Sequence, residues 1–81
     1  MTLPSKPKRW RWPSPGPYHA HCTDTARGLW TLEGGNGDWA HCPTGVALWR
    51  SAEEVEDEIA FEGHKPGPRT NHAGVIQYAH P

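Results

Sequence analysis

Two short clusters of histidine and cysteine hold the residues best suited to chemistry. His19-Ala20-His21-Cys22 puts two imidazoles and a thiol within four residues, and Ala40-His41-Cys42 repeats the pair further along the chain. Imidazole nitrogen and thiolate sulfur are the donors zinc prefers, and a structural site needs about four of them converging tetrahedrally. His19, Cys22, His41 and Cys42 are therefore the candidate metal ligands, with His64 as a substitute for His41. The cofactor expectation is none, or one structural zinc. Packed free thiols or a single disulfide are the other readings of the two cysteines. A Cys-based redox enzyme carries the least weight, because thiolate catalysis needs an orienting third group and a substrate cleft, and no residue pattern announces either.

A second cluster alternates cations with indoles. Lys6, Lys8, Arg9, Trp10, Arg11 and Trp12 form a pattern able to follow a phosphate backbone while the rings stack on bases. The competing reading has the indoles pin this segment to the domain by cation–π and apolar contact. A third cluster is acidic: Glu53, Glu54, Glu56, Asp57, Glu58 and Glu62 lie within ten residues. It reads as a solvated helix face, a docking surface for a basic protein, or an internal counter-charge for the cationic segment. Of these residues Glu53, Glu54, Glu56 and Asp57 are the candidate partner contacts.

The segment His41-Cys42-Pro43-Thr44-Gly45 resembles a zinc-ribbon knuckle of the Cys-Pro-x-Cys-Gly type over those few positions. It departs from that pattern in lacking the second cysteine, and the first cluster has Thr25 at the matching offset. What the resemblance implies is a zinc-ribbon-like nucleic-acid binder. No P-loop, G-x-G-x-x-G, G-x-S-x-G or H-E-x-x-H motif occurs.

These clusters must be positioned by very little material. The chain has 81 residues, 35% of them apolar, with 9 Pro and 9 Gly. That permits one small core and excludes a large pocketed enzyme, a membrane span and a plain helical bundle. The 5 Trp compensate for scarce aliphatics, since each buried ring removes roughly 150–250 Å² from water. With 8 basic and 9 acidic residues, net charge selects no partner class, but its distribution gives a basic end and an acidic middle.

Five prolines within residues 1–17 (Pro4, Pro7, Pro13, Pro15, Pro17) deny helix and central strand, which predicts an extended Pro-rich arm. Residues 18–81 form the single domain, with an irregular connection over 63–72. Arg27–Cys42 reads as a β-hairpin reversing at Gly34-Gly35-Asn36-Gly37, with Leu32 facing Trp39 and a core face of Trp30, Leu32 and Trp39. A strand over Val46–Trp49 leads to Ser51-Ala52-Glu53-Glu54, the spacing of a helix N-terminus with a Ser cap. Ala52, Val55 and Ile59 make one apolar stripe, and Gly63 ends the helix. Val75–Ala79 reads as a last strand. The two segments Ala20–Trp30 and Ala40–Trp49 both run Ala-His-Cys, a turn, then Leu-Trp.

The expectation is a small α+β domain: a Trp-rich hairpin or three-stranded antiparallel sheet, one acidic amphipathic helix and the arm. The N-terminus shows no apolar signal-like stretch, which reads as cytoplasmic. The functional expectation is a non-enzymatic binding module, an adaptor or inhibitor such as a phage-encoded host-directed factor, that meets a protein partner through exposed Trp and the acidic helix. The alternative is nucleic-acid binding through the basic and aromatic arm. No membrane partner is expected.

Overall fold

Small or thiol side chains alternate with imidazoles along His19-Ala20-His21-Cys22, so one edge-on face can enter a core while the other stays polar. In the computed structural model, which describes residues 10–13 and 15–71, this segment is strand β1 (His19–Asp24). It pairs antiparallel with β2 (Leu29–Glu33), the register running His19 to Glu33, Ala20 to Leu32, His21 to Thr31 and Cys22 to Trp30. The reversal is local. Asp24 Oδ1 accepts from the N–H groups of Ala26 and Arg27, both at 3.1 Å, and Gly28 takes a positive φ of 65°.

Two short strands follow, β3 (His41–Cys42) and β4 (Gly45–Val46), which pair antiparallel. The second edge of β2 is closed by the chain on either side of this hairpin. Ala40 N–H donates to Leu32 O at 2.8 Å, and Trp30 and Trp49 exchange two backbone hydrogen bonds at 2.9 and 2.7 Å. The Ala-His-Cys…Leu-Trp similarity thus corresponds to two successive hairpins whose closing Trp residues pair with each other.

Ser51 caps helix α1 (Ala52–Phe61), its hydroxyl accepting from Glu54 N–H at 3.2 Å. The Glu54 carboxylate turns back to accept from Arg50 N–H at 3.0 Å. At the other end Gly63 adopts φ 88°, Gly63 N–H donates to Ala60 O and His64 N–H to Ile59 O, the paired bonds of a Schellman ending. The stripe Ala52, Val55 and Ile59 is buried against Ala20 and Leu32 of the sheet, with Ala40, Ala47 and Trp49 completing the core.

Two expectations are corrected. The three-stranded sheet is mixed: β5 (Thr70–Asn71), inside the segment expected to be irregular, pairs parallel with β1, giving the order β2-β1-β5. The reversal after β2 is one residue longer than expected, so Glu33, and not Leu32, stands opposite Trp39. A one-residue slip moves a side chain to the other face of a sheet, and Trp39 leaves the expected core face. The Trp10–Trp12 segment packs against the domain. Arg11 and His41 pair through their backbones, with Arg11 N–H donating to His41 O at 2.6 Å. Trp10 meets the Trp49 ring edge-on at 5.2 Å, and Trp12 meets Tyr18 at 4.8 Å.

Gly34 and Gly35 have a different role from the one turn chemistry suggests. Only Gly37 of that group takes a positive φ, at 90°. A Cβ on Gly34 would lie 2.7 Å from Pro15 O, and one on Gly35 2.6 Å from Gly16 O. They are the places where the Pro-rich segment crosses the hairpin backbone, tied there by Gly35 N–H to Pro15 O at 2.8 Å.

Helix and β5 are clamped by one cation. Arg69 grips Glu56 bidentately, Nε to Oε2 and Nη2 to Oε1 both at 2.8 Å, with Glu53 at 3.6 Å from Nη2. The Glu56 pairing raises the guanidinium pKa further above its ordinary value. Because the Arg69 and Glu56 side chains are 19% and 14% exposed, removing one leaves the other partly desolvated and unpaired. Arg69→Met is expected to cost about 2 kcal/mol. The double replacement with Glu56→Met should recover a large share of that loss, as read from urea unfolding midpoints. A double variant less stable than Arg69→Met by a further comparable amount would contradict the pairing.

Candidate functional site

Three places gather the chemistry-bearing residues. The first is the polar face of the sheet. The β1–β2 register sets His19 opposite Glu33 and His21 opposite Thr31, and β5 brings Thr70 beside His21. Glu33 is the hub: its Oε1 accepts from His19 Nε2 at 2.5 Å and, more weakly, from Thr70 Oγ1 at 3.5 Å, and its Oε2 accepts from Trp39 Nε1 at 2.7 Å. His21 Nδ1 lies 2.7 Å from Thr70 Oγ1. The His21 and Trp39 rings lie 5.1 Å apart at 32°. This half-buried network ties together three chain segments far apart in sequence. Both carboxylate oxygens of Glu33 are engaged by the protein itself, which marks the cluster as internal cross-bracing.

The second place is an open cleft of about 610 Å³ lined by Trp10, Arg11, His41, Cys42 and Pro43. The Arg11–His41 backbone pairing builds one wall and the β3–β4 turn the other. His41 Nδ1–H donates to Trp39 O at 2.7 Å, which leaves Nε2 with the lone pair of the neutral ring. Cys42 Sγ sits 3.3 Å from Thr44 Oγ1, and that hydrogen bond, helped by the Thr44 backbone, lowers the thiol pKa below its ordinary value. Both cysteines are free thiols, Cys22 buried and Cys42 half-buried.

The third is the outer face of α1. Phe61 is 84% exposed, the one large hydrophobic side chain in that state among the described residues. Asp57 and Glu53 precede it by one and two turns, at i, i+4 and i+8 spacing, and both are exposed.

The sequence-picked residues are redistributed accordingly. Of the four candidate metal ligands, His19 is bound to Glu33, Cys22 lies on the opposite, buried face of β1, and only His41 and Cys42 share a site, the cleft. Alternation along β1 separates His19 from Cys22, and among the described residues no group of three or more His, Cys, Asp or Glu is placed to hold a metal ion. His64, the substitute ligand, instead contacts Trp12 and Tyr18 at 5.7 and 4.9 Å between ring centroids. Of the basic and aromatic run, Trp10 and Arg11 line the cleft and Trp12 is half-buried against Tyr18, while Lys6, Lys8 and Arg9 lie outside the described residues, as does the expected strand Val75–Ala79. Glu54 is spent on the helix start and Glu56 on Arg69, while Asp57 faces outward and Glu53, also exposed, lies at 3.6 Å from the Arg69 guanidinium.

Sequence reasoning passed over Glu33, Thr70, Arg69 and Phe61. Phe61 had a readable signal, since it falls outside the Ala52/Val55/Ile59 stripe by helical periodicity. Arg69 and Thr70 carry none, because their partners are 13 to 49 residues away in sequence, and Glu33 draws two of its three partners from 14 and 37 residues away. Among the described residues no helix is long and apolar enough to cross a membrane. Comparison with protein-family models, curated proteins and solved structures finds no match to this chain.

Proposed function

We propose that the protein is a non-enzymatic binding module, an adaptor or inhibitor, that docks a protein partner on the outer face of α1. The observation that carries this reading is Phe61, 84% exposed at the end of a helix row that begins with Glu53 and Asp57. An aromatic ring held out in water beside two carboxylates suits a partner presenting an apolar pocket with a basic rim. The half-buried indoles are engaged with Trp49, Tyr18 and Glu33, so the interaction does not depend on exposed Trp. Nucleic-acid binding through Lys6, Lys8, Arg9, Trp10, Arg11 and Trp12 is less favoured for the same reason. Its stacking rings are committed within the domain.

The test starts from affinity capture of partners on the intact protein, followed by titration of the captured partner with variants. Phe61→Ala should weaken binding at least thirtyfold, the loss of a ~2 kcal/mol anchor. Asp57→Lys should weaken it further as salt is lowered, whereas Arg11→Ala should leave it unchanged. Retention of full affinity by Phe61→Ala refutes the helix-face reading, and loss through Arg11→Ala moves the interface to the cleft.

A further inference from the structure

The turn that joins β2 to Trp39 is independent of the helix face, and its tip carries the dipeptide Asn36-Gly37. Both residues are exposed. In this dipeptide the backbone nitrogen of the glycine comes close to the side-chain carbonyl carbon of the asparagine with no Cβ to crowd the approach. Two sets of bonds keep the reacting atoms engaged elsewhere while the turn is closed. Gly37 N–H donates to Gly34 O at 3.1 Å. The Asn36 amide is clasped by Asp38: its Nδ2–H donates to Asp38 Oδ2 at 3.3 Å, and its Oδ1 accepts from Asp38 N–H at 3.2 Å. These bonds stand toward or beyond the long end of the ordinary range and are bathed by water, so the tip opens at far smaller cost than the core.

We infer that Asn36 is a site of slow self-modification, deamidation through a cyclic imide, gated by opening of this turn. Gly37 N, released from Gly34 O, attacks Asn36 Cγ. A bond forms between that nitrogen and Cγ, the Cγ–Nδ2 bond breaks, and ammonia leaves carrying the proton of the Gly37 amide. Water then adds to one carbonyl carbon of the imide or the other, which gives aspartate or an isoaspartate whose main chain runs through the side-chain carbons. Water is the only co-reactant, and no electrons are exchanged. Either product sets a carboxylate where the Asn36 amide donates to Asp38, so a donor–acceptor contact becomes a pair of like charges. Isoaspartate also lengthens the main chain by one carbon between Glu33 and Trp39, whose pairing depends on this turn. The consequence is an irreversible loosening of the Trp39 Nε1–H bond to Glu33.

The full chain is incubated at mildly alkaline pH, once folded and once in urea, and digested for peptide mass analysis. A gain of about 1 Da, the exchange of an amide for an acid, should appear on the peptide containing Asn36, divided between two products. Isoaspartate in one of them is identified by its acceptance of a methyl group from isoaspartate methyltransferase. Asn71, which precedes His72 and not glycine, is the internal control and should stay unchanged. Conversion of Asn36 should run about tenfold faster in urea, where both sets of turn bonds are lost. Asp38→Ala should speed the folded reaction about threefold through loss of the side-chain bond that clasps the amide, and should leave the rate in urea unaltered. Circular dichroism checks that this variant is folded, as expected for an exposed turn residue whose backbone bonds are kept. Absence of any mass gain at Asn36 in the folded chain while the urea sample converts would overturn the proposal. So would a folded rate unchanged by Asp38→Ala, or an equal acceleration by that variant in urea.

Discussion

Trp49→Ala is expected to abolish the folded state at 25 °C. Trp49 is the largest fully buried side chain among the described residues, and its backbone is bonded in both directions to Trp30. Its indole is the floor on which Trp10 stands edge-on at 5.2 Å, so it links the arm to the helix–sheet core. Truncating a buried Trp to Ala costs about 3–5 kcal/mol through lost transfer energy and the cavity left behind. A core of this size without a metal or bridge supplies only ~3–5 kcal/mol in total. The two quantities cancel, and the variant should lack a cooperative unfolding transition in far-ultraviolet circular dichroism. Trp49→Phe should remain folded. It keeps most of the ring volume and removes the Trp49 Nε1–H, which is buried with no hydrogen-bond partner among the described residues. A Trp49→Ala protein with an unfolding midpoint close to the parent would show that the core does not rest on this residue.

The next largest effect is expected at Glu33. Replacing it with alanine removes the acceptor for His19 Nε2–H, Trp39 Nε1–H and Thr70 Oγ1–H at once. The side chain is 16% exposed, so water can reach only part of what is left behind. Loss of a charge-assisted, largely buried network is expected to cost about 2–4 kcal/mol. Glu33→Gln should cost less, because its carbonyl oxygen still accepts one bond while its amide presents a donor to a second donor. Guanidinium unfolding orders the three proteins, and hydrogen exchange at the Trp39 indole N–H reports the network directly. That proton should exchange markedly faster in Glu33→Ala, in a folded sample, than in the parent. Unchanged protection would mean that the Trp39–Glu33 bond contributes nothing to holding the hairpin.

Both predictions concern residues whose importance is unequally visible in the sequence. Helix α1 was legible in full, because a Ser cap, a three-residue apolar stripe and a Gly terminator are local signals whose partners lie within one turn. The acidic character of its outer face was legible too, although which carboxylates face outward was not. Glu56 and Glu54 look equivalent to Glu53 and Asp57 until Arg69 and the Arg50 amide claim them. The hairpin between β2 and the Trp39 segment was legible as a reversal, but its register was not. Gly34 and Gly35 suggested a tight turn, whereas their lack of a Cβ serves the crossing of Pro15 and Gly16. That crossing depends on residues nearly twenty positions earlier, so no local rule reports it. The resulting one-residue difference sends Trp39 to Glu33 and away from Leu32.

The pairing of the clusters with chemistry follows the same division. Alternation along an extended chain already separates His19 from Cys22 once Ala20–Cys22 is a strand, and the Asp24–Gly28 turn was the available sign that it is one. By itself the sequence determined a single small α+β core, the helix with its caps, and a set of thiol, imidazole, cationic and acidic side chains, because composition and short-range periodicity decide those. Only the tertiary structure decided that β5 adds in parallel, that Glu33 gathers His19, Trp39 and Thr70, and that Arg11, His41 and Cys42 share one cleft. The reason is that each of those groupings is made by backbone pairing between distant segments, whose register is set by the packing of the whole core and not by any residue's neighbours in the chain.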